Sequence, residues 1–353
     1  MKRLHVSTCM IVKNEEVFLA AAIESAKSVL CCDDIVVVDT GSTDRTKEIA
    51  LAGGARVFDF EWIDDFAAAK NYAASKAIYD WVYTLDGDEE ITGADIGALE
   101  KFLDDTQVAG QGIMTERSNG HTHFSLRLYN RTCYKYRNRI HEELVTFDEQ
   151  LAIAREIPLT SIHHGYVPEV HTAQGKHERN TRIIGKLLED DPDDMYLLYM
   201  LGKAHFINDR DLPEACKCFE KVLVLCEDDH YRLDYIYETV ECYCYALINS
   251  GHYEKALEVR NKYAERYNYN PEFRFMSAHI FQNNALFAEA VQMYESCIGT
   301  DMPKGDFKGI TSYMSYYNIG VIFECIGKIE NAIDMYKSCG DYEPALQRLV
   351  DIS

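Results

Sequence analysis

The chain has 353 residues, 47% of them apolar, and a formal net charge of −22. That length suffices for about two domains with buried cores, and the apolar share excludes a wholly disordered chain. So negative a field repels phosphate backbones and argues against sequence-independent nucleic-acid binding; it suits a basic polypeptide partner, although a solvated acidic surface accounts for it equally well. No uninterrupted apolar stretch reaches the roughly 20 residues of a membrane span. Met1-Lys2-Arg3 leads into a strand-like run and not a signal peptide, so no integral membrane segment and a cytoplasmic location are expected. The twelve cysteines contain no C-x-x-C pair and read as reduced thiols used for packing. The sequon Asn130-Arg131-Thr132 is then accidental.

In chain order, His5–Val12 is a β-rich run and Glu15–Leu30 has helical spacing. Asp34-Ile35-Val36-Val37-Val38-Asp39 reads as a fully buried strand, and Ser42-Thr43-Asp44 as the cap of a helix reaching about Ala52. A short strand over Arg56–Phe60, an Ala-rich helix over Phe66–Ile78 and a buried strand over Trp81–Leu85 follow. Strand and helix alternate, which implies parallel pairing and a site at the carboxyl ends of the strands. Residues from about 110 to 165 are β-like and irregular, dense in Arg, Tyr and His. From about Gly175 the pattern is helical to the end.

The strongest chemical signal is Leu85-Asp86-Gly87-Asp88-Glu89-Glu90, directly after an apolar strand. Carboxylates at i and i+2 on a bent strand end can face one cation, and Gly87 leaves room for a close ligand. Hard divalent ions such as Mn²⁺ or Mg²⁺ take oxygen ligands and often need only one or two carboxylates plus substrate phosphates. Alone, the same turn could simply be solvated.

Four motifs accompany one another in order: Met10-Ile11-Val12-Lys13-Asn14-Glu15-Glu16, Val36–Asp44, Lys70-Asn71 and Asp86–Glu89. Together they resemble glycosyltransferase family 2. The resemblance implies an α/β GT-A domain with a Rossmann-like mixed sheet, a nucleoside-diphosphate sugar donor with UDP first, a metal-assisted reaction and inversion at the anomeric carbon. By position, Val12, Asn14, Glu15, Asp39, Lys70, Asp86, Gly87 and Arg127 are implied to hold the nucleotide-sugar. Asp39 corresponds to the residue that meets the base, though it could instead shape the turn. Lys70 stands where the family usually has Arg, keeping the charge without the bidentate fork. Asp88 and Asp86 are implied as metal ligands.

Arg139-Ile140-His141-Glu142-Glu143-Leu144 is not a zincin helix, because position 145 is Val. It resembles an Ile-His-Glu element of the family. Inverting transfer needs a group to take the acceptor proton, and Glu142 is the first candidate with His141 second. His163-His164-Gly165-Tyr166, followed by Lys176 and Arg179, resembles the segment closing the GT-A domain; His163 is implied as the third metal ligand, ahead of His164.

In the helical half, Ala215, Ala256, Ala290 and Ala332 recur at spacings of 41, 34 and 42 residues, with Phe219, Tyr294 and Tyr336 four residues after three of them. This resembles tetratricopeptide repeats, although Leu201-Gly202 lies one residue out of phase with Ala215. The expected division is a catalytic domain over 1–175 and an all-α tetratricopeptide-like domain over 176–353, serving acceptor binding or homodimerisation. The whole resembles sublancin-type peptide S-glycosyltransferases and also enzymes of cell-surface glycans, so a peptide or glycan acceptor is implied. The competing readings are a peptide-binding scaffold with an inactive nucleotide-sugar fold, and a nucleotidyltransferase. The second lacks a glycine-rich phosphate loop.

Overall fold

The computed structural model describes residues 3–117, 122–164, 173–207, 211–227, 233–300 and 309–352. Gly165, Tyr166 and the acidic pair Asp228-Asp229 fall outside them, as does the side chain of Lys176. The chain divides into two compact units, Met1–Ile183 and Ile184–Ser353.

The first unit is built on an eight-stranded mixed sheet. Its strands are β1 (Val6–Val12), β2 (Asp34–Asp39), β3 (Arg56–Asp59), β4 (Trp81–Thr84), β5 (Glu89–Ala94), β6 (Ala109–Glu116), β7 (Thr122–Asn130) and β10 (Ala154–His163), in the order β3-β2-β1-β4-β7-β6-β10-β5. The first four are mutually parallel, as the alternating strand–helix text implies; β7 joins β4 antiparallel, and β5 joins β10 antiparallel. A hairpin of β8 (Tyr134–Arg137) and β9 (Glu143–Thr146) forms a second, two-stranded sheet.

The continuous apolar runs follow from burial on both faces. In β1, Val6, Met10 and Val12 face one core and Cys9 the other; in β2, Ile35 and Val37 part from Val36 and Val38 in the same way. Helices α1 (Leu19–Ser28), α2 (Thr46–Ala52) and α4 (Ile96–Phe102) contribute Ile23, Ala50 and Leu99 to the first core, whereas α3 (Phe66–Ser75) and the hairpin contribute Ala73, Tyr136 and Leu144 to the second. Asp65 caps α3 by accepting from the Ala68 amide, and Asp95 caps α4 through the Ala98 amide. The carboxyl ends of β1 and β2 align, with Val12 opposite Asp39.

Helix α5 (Ala173–Asp190) crosses the expected boundary near 175. The first unit extends to Ile183 because Arg182 grips Asp64 with two bonds of 2.8 Å and the Arg179 guanidinium lies 4.9 Å from the centre of the Phe66 ring.

The second unit pairs α6 (Met195–Phe206) with α7 (Leu212–Leu225), α8 (Asp234–Asn249) with α9 (Tyr253–Tyr267), α10 (Pro271–Asn283) with α11 (Phe287–Cys297) and α12 (Tyr313–Cys325) with α13 (Ile329–Lys337), before α14 (Glu343–Asp351). This is the tetratricopeptide-like arrangement the sequence implies. All four recurring alanines are fully buried. The two long spacings are taken up in the α7–α8 and α11–α12 connections. The phase slip at Gly202 is absorbed: a Cβ there would stand 2.7 Å from the Phe219 ring, as one at Gly320 would stand 2.6 Å from Tyr336. Tyr294 donates to Gln282 and Tyr336 to Glu324 in equivalent positions. Where the aromatic is missing, Arg260 donates to Ser277 and stacks on Phe281.

All twelve cysteines are free, and Cys325 alone is exposed. Among the described residues no helix is long and apolar enough to cross a membrane.

A glycine in a helix ordinarily costs about 1 kcal/mol relative to Ala, so Gly→Ala separates propensity from packing. Gly320→Ala should destabilise the protein by about 1–3 kcal/mol, the usual cost of overpacking. Gly185→Ala in α5, with open space around its Cβ, should not. Denaturant melts of both variants measure the contrast.

Candidate active site

The site grows from three turns at the carboxyl edge of the parallel strands. The first pair of turns follows β1 and β2. Residues 15–18 do not extend α1 as the helical spacing suggests, because the amides of Asn14, Glu15 and Glu16 are spent on the neighbouring turn. The amide of Asn14 donates to Ser42 Oγ (2.9 Å), that of Glu15 to Thr46 Oγ1 (2.8 Å) and that of Glu16 to Asp44 (3.2 Å). Asn14, at φ 57°, returns the contact by accepting from the Thr43 amide. Asp44 accepts from the Thr46 amide at the head of α2. Asp39 is buried, accepts from the amides of Gly41 and Ser42 (both 3.1 Å), and faces Lys47 Nζ at 3.6 Å. It shapes the turn, one of the two roles open to it from sequence.

The second cluster surrounds Asp86. Arg127 on β7 donates through Nη2 to Asp86 (3.1 Å) and to Glu89 (2.6 Å), and through Nε to Ser125 (2.8 Å). The Asp86 amide donates to Glu89. Burial opposes ionisation of Asp86, but Arg127 and then Lys70 outweigh it and hold the carboxyl below its usual range. Burial instead lifts Glu89 to about 8; Arg127 opposes the rise and the charge of Asp86 adds to it. Lys70 on α3 is buried against Glu142, with its ammonium 5.1 Å from the centre of the Tyr136 ring. Burial disfavours its charge, yet Asp86 and Glu142 together raise it above the ordinary lysine value. Asn71, next along α3, exchanges two hydrogen bonds with the backbone of Tyr136 and so ties α3 to the hairpin that carries Glu142. His141 stands beside Glu142 at φ 52°.

The third cluster lies at Asp88. His163, at the end of β10, places Nε2 3.3 Å from Asp88 and Nδ1 2.8 Å from Glu116. The bond to Asp88, opposed by burial and aided by Glu116, raises this imidazole to about 9. His164 donates its amide to the Asp88 carbonyl (2.8 Å) and stacks on Phe18. Gly87 is needed for a close approach: a Cβ there would lie 2.9 Å from Glu15 Cγ and 3.1 Å from Val12 Cγ1. Val12, Glu15 and Gly87 therefore meet.

The expected metal set is only partly assembled. Asp88 and His163 come together, but Asp86 is committed to Arg127; among the described residues no group of three His, Cys, Asp or Glu side chains is poised to hold an ion. An adjacent carboxylate oxygen and imidazole nitrogen suit two positions of a Mn²⁺ shell better than one of the harder Mg²⁺, and diphosphate and water oxygens would have to fill the rest. Glu89, Glu116, Arg117 and Tyr136 are site neighbours that sequence reasoning did not single out. Glu89 stood in plain view in the acidic run, whereas Glu116 is identified by the β6–β10 register that sets it opposite His163.

Residues 7–156 match the model of glycosyl transferase family 2. A TPR repeat-containing protein of Synechococcus elongatus is 32% identical over 223 residues, which cover 60% of this chain and 54% of that protein. The SPbeta prophage-derived glycosyltransferase SunS of Bacillus subtilis is 27% identical over 215 residues, covering 58% of this chain and 50% of SunS. The chain thus spans about half the length of these curated relatives. The solved structure of the TPR protein YrrB overlaps 50% of this chain and 84% of its own at 19% identity, with a TM-score of 0.39, too slight a likeness to build on.

The buried Lys70–Glu142 pair makes a stability prediction. Removing one partner of a buried ion pair costs about 3–5 kcal/mol, because the other charge is stranded. Lys70→Met should approach that loss, and Lys70→Met with Glu142→Gln should recover part of it. Urea melts closing the double-mutant cycle measure the coupling; simple additivity would show the pair is not a unit.

Proposed function

We propose that this chain, which carries a family 2 glycosyltransferase domain at its N-terminus, moves a sugar from a nucleoside-diphosphate sugar, UDP-linked first, to a peptide or cell-surface glycan acceptor with inversion. The observation that carries the reading is the Asp86-Gly87-Asp88 turn, pressed against Val12 and Glu15 and flanked by Arg127, Lys70 and His163. Such an edge can hold a diphosphate between cationic side chains and a cation-binding carboxylate. Asp88 and His163 would hold a divalent ion, which neutralises the diphosphate as it leaves.

The chain's own groups have separable parts. The β1 and β2 turns form the nucleotide side, with Asn14 and Asp39 set by their amide bonds. Glu142 takes the proton of the acceptor nucleophile while the new bond to the anomeric carbon forms and the bond to the diphosphate oxygen breaks. Lys70 fixes the position of that carboxylate. The helical unit engages the acceptor or pairs two subunits and does no chemistry: a repeat stack offers an extended surface, and the aromatic residues of its cores are used in packing. Over 184–353 there are 29 Asp and Glu against 16 Lys and Arg, a balance that suits a basic acceptor segment.

UDP with Mn²⁺ should raise the melting temperature, by the equivalent of about 2.7 kcal/mol at a hundredfold excess over Kd. Asp88→Ala should abolish the gain, and undiminished stabilisation in EDTA would remove the metal from this reading. A screen of UDP- and GDP-sugars for hydrolysis then identifies the donor; absence of turnover with every donor despite UDP binding would favour an inactive scaffold. Glu142→Gln, in protein shown to remain folded, should keep donor binding and lose about 10²–10⁴-fold in transfer. Normal turnover there, with loss in His141→Ala, would assign the base to the imidazole.

A further inference from the structure

Two histidines stand side by side at the end of β10, and two opposite charges stand side by side at the end of β6. The strands run parallel with His163 opposite Glu116, and the Arg117 amide donates to the His163 carbonyl at 3.1 Å. Each histidine meets one of the charges through Nδ1: His163 meets Glu116 at 2.8 Å and His164 meets Arg117 Nη1 at 3.0 Å.

Those partners are chemically opposite, and they dictate where each ring keeps its proton. A guanidinium can only donate. The Nδ1 of His164 must therefore present its lone pair, and the proton of the neutral ring sits on Nε2, which faces Glu90 Oε2 at 3.3 Å without hydrogen-bond alignment. A carboxylate accepts, so the Nδ1 of His163 carries the proton. The charged ring also gives a proton from Nε2 to Asp88 at 3.3 Å, and a cation beside Asp88 would replace that proton and take the Nε2 lone pair. His164 has no nitrogen to offer a cation: one lone pair is taken by arginine and the other nitrogen is protonated. His163 can offer Nε2, beside the Asp88 carboxylate, once that proton leaves.

We propose that Glu116 and Arg117 sort these neighbouring histidines by tautomer, making His163 with Asp88 the ligand pair for a divalent cation and barring His164 from coordination. Glu116 is a positioning residue that acts through His163, as carboxylates behind metal-binding imidazoles do. His164 anchors the turn through its amide bond to Asp88 and its stacking on Phe18. The proposal rests on the reading of this edge of the sheet as a metal–diphosphate site.

The test uses the full chain and Mn²⁺ itself, with free Mn²⁺ measured by electron paramagnetic resonance in the presence and absence of UDP. Glu116→Ala should weaken Mn²⁺ binding by about 10–100-fold. Glu116→Gln, which keeps an acceptor oxygen, should retain most of the affinity. In a His163→Gln background Glu116→Ala should add no further loss, because it acts through the imidazole. His164→Gln should stay within about threefold of wild type, far inside the effect expected of a lost ligand partner. Independently of metal and activity, long-range ¹⁵N–¹H spectra of the neutral rings should show Nδ1–H on His163 and Nε2–H on His164. Unchanged Mn²⁺ affinity in Glu116→Ala, a loss in His164→Gln equal to that in His163→Gln, or the reversed tautomers would each overturn the sorting. If wild-type protein takes up no Mn²⁺ even with UDP, the metal–diphosphate reading fails, and the ¹⁵N spectra still decide whether the two rings are sorted.

Discussion

A carboxylate taken out of water needs a cation or a fan of N–H groups against it, since an unmatched buried charge costs several kcal/mol. The first unit sets such partners against each of its buried carboxyl groups among the described residues, although at Glu89 burial still outweighs the arginine and favours the neutral form. Asp34 has Arg56, Ser7 and the Ile78 amide; Asp39 has two amides and Lys47; Asp64 has Arg182 and Trp62; Asp88 has His163; Glu89 has Arg127. Most of these pairings join residues far apart in sequence. They set which strand ends and which turns come together, and the site at the carboxyl edge is shaped by that matching as much as by apolar packing.

Pairing at the ends of the sheet also separates groups that look alike in sequence. Asp86 and Asp88 are two residues apart, yet one belongs to an arginine from β7 and the other to a histidine from β10. Asp86 is held ionised while Glu89, which shares its arginine, is lifted by burial. A shared arginine with unequal carboxylates is a polarised arrangement, suited to anchoring one end of a charged ligand.

Much of this was legible in the residues. The Asp34–Asp39 run has the bounds of β2, and the Phe66 and Trp81 starts of α3 and β4 are those expected, because unbroken apolar runs and an alanine-rich stretch leave strong local marks. The start of α1 was not legible: helical spacing begins at Glu15, but side chains of the 42–46 turn capture the amides of Asn14, Glu15 and Glu16. The partner of Lys70 was not legible either, since 72 residues separate it from Glu142 and only the tie between α3 and the hairpin brings them together. In the helical unit the alanine–aromatic spacing showed through despite the irregular intervals. The slip at Gly202 did not break the pattern, because packing tolerates a one-residue shift that a consensus does not.

The twelve free thiols have a practical consequence. Burial pushes Cys218 and Cys242 up to about 12, Cys297 and Cys339 up to about 11, and Cys9, Cys32 and Cys244 above the ordinary thiol range as well. The thiolate is the form that reacts with alkylating reagents, so these positions are slow to modify while the protein is folded. Cys325, exposed at the end of α12, is the natural first target for a maleimide dye, distant in sequence from every residue of the cleft. The native chain thus comes with its own attachment point for fluorescence studies of the helical unit, and the slow labelling of the buried Cys218, Cys242, Cys244, Cys297 and Cys339 becomes a clock for its unfolding.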